Sequence, residues 1–274
     1  MTAELRAAWA VARKELQIVR RYPLQLINEV MQPLYQFLLP SLLLGATFYV
    51  GGRAIGLQAS AGTADLAGYL FLGMVVGGLV SAVFWDMAFG IKREMDSGTL
   101  EPMWLTPTRP ETTVLGRAIA GLILSVLAAA ILVAVGIVFF GANLTGALLA
   151  AVPALLLASI SMLGIGFMIA SLVMVMRDPA FMIDATSFTF ASLSGVAFPV
   201  SVLPFFLQPL SYALPTTYAV DLLRYYALGT RPLLPPGVEW AVLAVFPVLT
   251  VALGLRLFLR TEHRMRVLGT TGQH

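Results

Sequence analysis

Residues 66–111 read "LAGYLFLGMVVGGLVSAVFWDMAFGIKREMDSGTLEPMWLTPTRPE". The first 26 residues of this stretch carry a single charge, Asp86, whereas the last twenty carry seven: Lys92, Arg93, Glu94, Asp96, Glu101, Arg109 and Glu111. An apolar run of that length exceeds the roughly 20 residues that a helix needs to cross hydrocarbon. The charges that end it are too costly to follow into lipid. The stretch therefore reads as a membrane span delivering the chain into a charged aqueous loop, and the rest of the sequence repeats the pattern.

Across 274 residues, 59% are hydrophobic and 11% charged, with a mean hydropathy of +0.88. A soluble domain carries about 25% charged residues, so a water-soluble globule is excluded and an all-α polytopic membrane protein is expected. There are no cysteines, and the two histidines, His263 and His274, lie in the C-terminal tail. Disulfide frameworks, thiolate metal sites and most histidine chemistry are therefore excluded.

Six spans are expected, near 30–50, 66–91, 118–140, 147–176, 181–200 and 238–259, within a single domain over 1–274. The fourth is long enough to tilt or kink, with Pro153 near one end. Lys and Arg set the orientation. With the N-terminus inside, fourteen of the seventeen cationic residues are cytoplasmic, and only Arg53, Arg224 and Arg231 are outside. Both termini and the 92–112 loop then face the cytoplasm.

Residues 1–21, within an N-terminal segment 1–27 expected to be an interfacial helix, lack the uninterrupted apolar core and cleavage site of a signal peptide. At 100° per residue, Leu5, Ala8, Trp9, Ala12, Leu16 and Val19 share one arc, and Arg6, Arg13, Lys14, Arg20 and Arg21 the other. This predicts an amphipathic helix lying in the membrane interface; a basic flank that only fixes topology is the plainer reading.

The segment 198–229, "FPVSVLPFFLQPLSYALPTTYAVDLLRYYALG", is apolar but interrupted by Pro199, Pro204, Pro209 and Pro215. Proline removes a donor and clashes with the preceding turn, so no single straight span fits. Thr216 or Thr217 can cap a short helix ending at Gly229, and Asp221 and Arg224, three apart, can pair along it. The expectation for 199–237 is a region of short helices dipping into the outer leaflet between spans five and six. An ordinary aromatic belt of Phe205, Phe206, Tyr212, Tyr218, Tyr225 and Tyr226 is the alternative.

Within the loop, Thr99 can cap a two-turn helix from Leu100, with Pro102 tolerated in its first turn and Pro107 stopping it. Such a helix has little stability alone. It presents Leu100, Met103, Trp104 and Leu105 beside Glu94, Asp96 and Glu101, which suits docking into another protein's groove. A solvated topological loop fits the spacing equally well.

Residues "REMDSGTLEPMWLTP" resemble the cytoplasmic loop of ABC-2 type transporter permeases, with the pattern E-x-x-x-G-T-L-E-x-L-x-x-T-P. Glu94, Gly98, Thr99, Leu100, Glu101, Thr106 and Pro107 match it. Lys92, where an acid often precedes the arginine, and Met103-Trp104, where smaller aliphatics are usual, depart from it. The 198–229 segment is similar to the family's P-x-x-x-L-P…P-L…P-x-T-Y-x-x-D-x-x-R stretch, and the likeness covers essentially the whole chain.

The resemblance implies a permease that pairs with a second permease copy, identical or similar, and with two copies of a separate ABC ATPase subunit. The 92–107 loop would then carry the coupling helix, with Glu94, Gly98, Thr99, Leu100, Glu101, Trp104, Leu105 and Pro107 as coupling residues. ATP and Mg would be bound by the partner and none by this chain. The sequence agrees in its own way: a P-loop requires G-x-x-x-x-G-K-[ST], and neither Lys14 nor Lys92 follows a glycine. The chain is expected not to be an enzyme. Its partners would be membrane lipid and protein, without nucleic acid, in a bacterial inner membrane.

Glu29, Asp86 and Asp184 lie in or beside expected spans. Each sits about 9–12 Å from a cytoplasmic cationic anchor at 1.5 Å per residue. Intramembrane acids default to a functional hypothesis, here an inner vestibule for cationic or amphipathic molecules; interhelical hydrogen bonding is the structural alternative. Candidate residues of a substrate path or gate are Asp86, Asp184, Phe198, Phe205, Tyr212 and Tyr218. The leading expectation is an ATP-driven exporter of a hydrophobic or amphipathic substrate, a drug-like molecule or lipid. Export of a polysaccharide or glycoconjugate is the alternative within the class, and an ion-coupled secondary transporter the alternative outside it. An intramembrane enzyme is disfavoured, because no H-E-x-x-H or G-x-S-x-G occurs.

Overall fold

The computed structural model describes residues 3–22, 24, 27, 30–31, 34–35, 49–50, 53–98, 102, 109–140, 146–176 and 179–268. The described chain is helical apart from one antiparallel pair of two-residue strands, β1 (Tyr49–Val50) and β2 (Arg53–Ala54). The elements used below are α1 (Ala3–Arg21), α2 (Ile55–Ala61), α3 (Leu66–Ala82), α4 (Gly90–Asp96), α5 (Pro110–Phe140), α6 (Val152–Val173), α7 (Ala180–Leu193), α8 (Gln208–Tyr212), α9 (Pro215–Leu228) and α10 (Pro236–Leu268).

Four helical stretches among the described residues are long and apolar enough to cross a membrane: Leu66–Asp96, Glu111–Phe139, Leu149–Val173 and Pro236–Val267. At 1.5 Å per residue the shortest, of 25 residues, is about 37 Å long, which exceeds a hydrocarbon core of about 30 Å. These correspond to the second, third, fourth and sixth expected spans. Most of the first, 30–50, lies outside the described residues. The fifth is represented by α7, whose 14 residues rise about 21 Å and do not span alone.

The Leu66–Asp96 stretch is one continuous rod in which α3 passes through a wide π-turn, Val83–Phe89, into α4. It forms the centre of the bundle. Its apolar window is 76% buried, against 28% for α5 and 22% for α10, so the latter two present their apolar faces outward. Asp65 caps the rod, its Oδ1 accepting from the Gly68 amide at 2.8 Å. At the other end Gly98 adopts φ +66°, which ends α4. Glycine takes this left-handed conformation without steric cost.

Packing differs between the two halves of the rod. Toward the 92–111 loop, Phe84, Met87, Ile91, Phe167, Phe258 and Met265 share one core. Toward the opposite end, here the far end, Leu70, Phe71, Leu72, Leu132, Val220 and Leu223 share another. Between α6 and α10 the backbones touch: a Cβ on Gly254 would lie 2.1 Å from the Gly164 carbonyl oxygen, and one on Gly164 would lie 2.2 Å from the carbonyl carbon of Thr250. Small residues permit such close approach, and the close packing helps to hold apolar helices together.

The proline-rich segment forms short helices, α8 and α9, as the prolines dictate. Pro153 and Pro215 both sit in first turns, where the missing N–H costs nothing. Gly229 closes α9 in the left-handed conformation. The expected threonine cap of α9 is corrected: Leu214 occupies the cap position without a side-chain bond. The two threonines instead tie α9 to its neighbours, Thr216 bonding to the Ser194 hydroxyl and Thr217 donating to the Ser211 carbonyl at 2.7 Å. Within the first turn, past the cap position, their side chains reach adjacent elements rather than the helix's own first amides.

Candidate functional site

Two polar clusters interrupt the apolar bundle, one at each end. At the loop end, Glu94 is buried on the inner face of α4. The Nη2 of Arg117, on α5, donates to its Oε1. Arg117 is also buried, and its Nε lies 3.8 Å from Glu15 of α1. Glycine makes this possible, because a Cβ on Gly90 would lie 2.3 Å from Arg117 Nη1.

Two of these helices, α1 and α5, meet again nearby. Thr112 of α5 donates to Glu4 of α1 at 2.5 Å, and Arg109, in the segment leading into α5, lies 4.0 Å from Glu4. α1 packs along α5 so closely that a Cβ on Gly116 would lie 2.6 Å from the Ala8 carbonyl. Of the apolar arc read from the sequence, Ala8, Ala12 and Val19 are buried, whereas Leu5 and Trp9 are about half exposed at 52% and 51%. The amphipathic helix thus divides its apolar face between the bundle and its surroundings.

Of the coupling residues expected from sequence, Glu94 and Gly98 are placed here, at the root of the loop. Thr99, Leu100, Glu101, Trp104, Leu105 and Pro107 lie outside the described residues. The arginine that anchors Glu94 entered the sequence reading only as a topological charge. Its signal was a lone cation seven residues after the start of a strongly apolar helix.

At the far end, Arg224 of α9 is 3% exposed. Its Nε and Nη2 donate to the Tyr69 carbonyl at 3.1 and 3.0 Å, Nη1 to Gly195 at 2.6 Å, and Nη2 to Val196 at 2.6 Å. The guanidinium also lies over the Tyr69 ring, 3.3 Å from its centroid, a cation–π contact. Gly73 completes the cradle, since a Cβ there would lie 2.0 Å from the Val196 carbonyl oxygen and 2.5 Å from Arg224 Nη2.

The expected Asp221–Arg224 pairing is corrected. Asp221 accepts from the Leu233 amide at 2.8 Å, and none of the ion pairs among the described residues involves Arg224. The guanidinium is turned into the elbow after α7, where unpaired carbonyls converge. Burial pushes the Asp221 carboxyl above the usual carboxylate range, opposed by the Leu233 amide and by Arg224. Burial also pulls the Arg224 guanidinium below its ordinary value.

Of the candidate path residues that are described, Tyr212 and Tyr218 are brought together. Phe198 and Phe205 are exposed, at 37% and 84%, and Tyr212 is 36% exposed. Tyr218 is buried, donating its hydroxyl to the Tyr212 carbonyl at 2.7 Å. Asp184 is exposed on α7. Asp86 falls within the π-turn, but its side chain, like Glu29, lies outside the described residues. No cluster of acids and histidines able to hold a metal occurs among the described residues.

Comparison with known proteins addresses the whole constellation. Residues 6–228 match the sequence model of the family described as ABC-2 type transporter. Two relatives share 25% identity with the chain over 167 residues, one from Escherichia coli strain K12 and one from Escherichia coli O157:H7; both are named "Probable multidrug ABC transporter permease YbhR". The matched region is 61% of this chain and 45% of each relative, so it spans about half the length of the curated relatives.

Proposed function

The chain belongs to the ABC-2 type transporter family, a multi-pass membrane protein, and from that premise we propose that it is the membrane subunit of an ATP-driven exporter. A separate ABC ATPase subunit, in two copies, would grip the 92–107 loop of each of two permease chains in the bacterial inner membrane. ATP and Mg belong to that partner. Both termini and the loop face the cytoplasm in this reading, which the distribution of cations supports.

One observation carries the coupling role: Glu94, at the root of the loop, is ion-paired to Arg117 of α5, which in turn faces Glu15 of α1. A push on the loop therefore reaches two other helices directly. A loop that served only as a topological spacer would need no buried anchor, and a buried pair is costly to desolvate. The continuous rod from Glu94 back through the π-turn to Leu66 offers a path along which displacement at the loop end reaches the far end. π-turns inside helices occur frequently at functional sites.

The cargo proposed is hydrophobic or amphipathic, a drug-like molecule or lipid, in keeping with the multidrug designation of the relatives. Co-expression with candidate ABC ATPases, followed by purification and mass measurement, tests the assignment. The expected product is an assembly of two permeases and two ATPases whose hydrolysis is stimulated by amphipathic cations. E94Q should leave assembly detectable but break the link between hydrolysis and transport. Transport by vesicles containing this chain alone, driven by an ion gradient, would overturn the proposal in favour of a secondary transporter.

A further inference from the structure

A polar cavity of about 270 Å3 opens at the far end, among α2, α3, α8, α9 and the 230–233 segment; Tyr69, Tyr212, Asp221, Arg224, Thr230 and Arg231 are in its wall. Drug-sized ligands occupy pockets of about 300–1,000 Å3, so this cavity is the size for a small headgroup rather than a whole amphiphile.

The charged residues of its wall are two cations, Arg224 and Arg231, against one carboxylate, Asp221. The acids at this end are engaged by backbone amides and by each other: Asp65 accepts from Gly68, Asp221 from Leu233 and Glu239 from Leu234, and the Asp221 and Glu239 side chains are hydrogen-bonded. Neither Arg224 nor Arg231 enters an ion pair among the described residues. A guanidinium has five N–H donors. Four of those of Arg224 are used on carbonyls, which leaves one N–H on Nη1. Thr230 is 3% exposed, and its hydroxyl has no hydrogen-bond partner among the described residues. A buried hydroxyl without a partner carries a desolvation cost, and with Asp221 set against Arg224 the charge of Arg231 leaves the wall net positive. A ligand anion would relieve both.

We propose that this cavity binds a phosphate ester of a small polyol, of the glycerol-phosphate kind, either free or as a phospholipid headgroup. Two guanidinium groups and a hydroxyl supply more donors than the two oxygens of a carboxylate can take; a phosphate presents three. Asp221, in the same wall, is bonded to the Leu233 amide and to the Glu239 side chain, and a carboxylate has about four acceptor sites, so a polyol hydroxyl can still donate to it. The wall thus reads the two halves of the ligand separately: Arg231, Arg224 and Thr230 the phosphate, Asp221 the polyol. Placement of the cavity in the outer leaflet rests on the orientation proposed above; binding itself does not depend on it, or on an ATPase partner.

The test uses the purified full chain in phosphate-free detergent solution. Radiolabelled glycerol 3-phosphate, neutral glycerol and short-chain phosphatidylglycerol are compared by equilibrium binding to wild type, R231A and T230V. Saturable binding of one phosphate probe per chain is expected, with none for glycerol. Affinity should fall about tenfold in R231A and about threefold in T230V. Preference for the lipid identifies a headgroup site, and preference for glycerol 3-phosphate a soluble ester; either supports the proposal. No saturable binding of either phosphate probe, or binding within twofold of wild type in both variants, overturns it. Should R231A fail to fold, thermal stabilisation of the wild type decides: glycerol 3-phosphate must raise the melting temperature more than sodium chloride at equal ionic strength, and failure to do so also overturns the proposal.

Discussion

At the loop end of the bundle, charge meets charge across helices: Glu94, Arg117 and Glu15 come from α4, α5 and α1. At the far end, charge meets backbone: Arg224 donates to the carbonyls of Tyr69, Gly195 and Val196, while Asp221 and Glu239 accept from amides. The two solutions behave differently under load. An ion pair between side chains can lengthen, re-form or exchange partners by rotamer changes. A carbonyl at a helix elbow cannot turn away without unwinding the chain that carries it. The far end is accordingly a fixed clamp that holds α9 to α3 and the elbow, and the loop end is a joint.

The sharpest way to break that comparison is Arg224→Met. It leaves the two elbow carbonyls of Gly195 and Val196 in a buried site without a donor, each costing about 1–3 kcal/mol, and no compensating change elsewhere restores them. Loss of the monodisperse folded protein in detergent is the expected outcome, read by size exclusion and melting. Gly73→Ala should act in the same direction, because its Cβ would fall on the Val196 carbonyl. A variant that melts within a degree or two of wild type would show that the clamp is not structural.

Arg117→Met should cost less and, unlike the first change, be repairable. Removing one member of a buried pair costs about 3–5 kcal/mol, largely from the charge left behind, whereas replacing the whole group with apolar residues is often neutral. Melting of Arg117→Met alone and combined with E94Q and E15Q gives the comparison. Most of the lost stability should return in the triple variant, while ATPase coupling should not. Recovery of both would remove the joint from the mechanism.

How much of this was legible in the chain follows from the range of each interaction. Hydropathy marked the Leu66–Asp96, α5, α6 and α10 stretches, because a membrane span is a property of consecutive residues. Pro215 and Gly229 marked both ends of α9, for the same local reason. Glu94 was singled out, but not Arg117, 23 positions later, nor Glu15, because nothing in one sequence says which cation meets which acid. The Asp221–Arg224 expectation failed in an instructive way. Spacing of three permits a pairing, but the carbonyls of Gly195 and Val196 at a distant elbow and of Tyr69, 155 residues away, outcompete it. The glycines at 73, 90, 116, 164 and 254 read as ordinary membrane-helix composition, since their significance lies entirely in what stands opposite.

A further, smaller effect is expected where α1 leans on the joint. Gly116→Leu forces a side chain into the Ala8 carbonyl and Val11, and overpacking of this kind costs about 1–3 kcal/mol. α1 should lift from α5 before the bundle melts, and Lys14 should become more open to trypsin in the folded protein. Unchanged digestion would mean that α1 contributes to the joint only through Glu15 and Glu4.

The smallest effect provides the control, and it comes from the same short helix as Glu94. Lys92 donates to Asp96 at 2.5 Å one turn along α4, with the Asp96 side chain 55% exposed. Such exposed i,i+4 pairs contribute about 0.3–0.5 kcal/mol, and salt screens them. Asp96→Ala should shift melting by no more than a degree or two, and the shift should fade as ionic strength rises; E94Q, two residues away, should retain its effect in high salt because its partner is buried. ATPase coupling in D96A should match wild type. If instead D96A uncouples as strongly as E94Q, the partner is reading the exposed charge of α4, and the burial of Glu94 and Arg117 would serve stability rather than transmission.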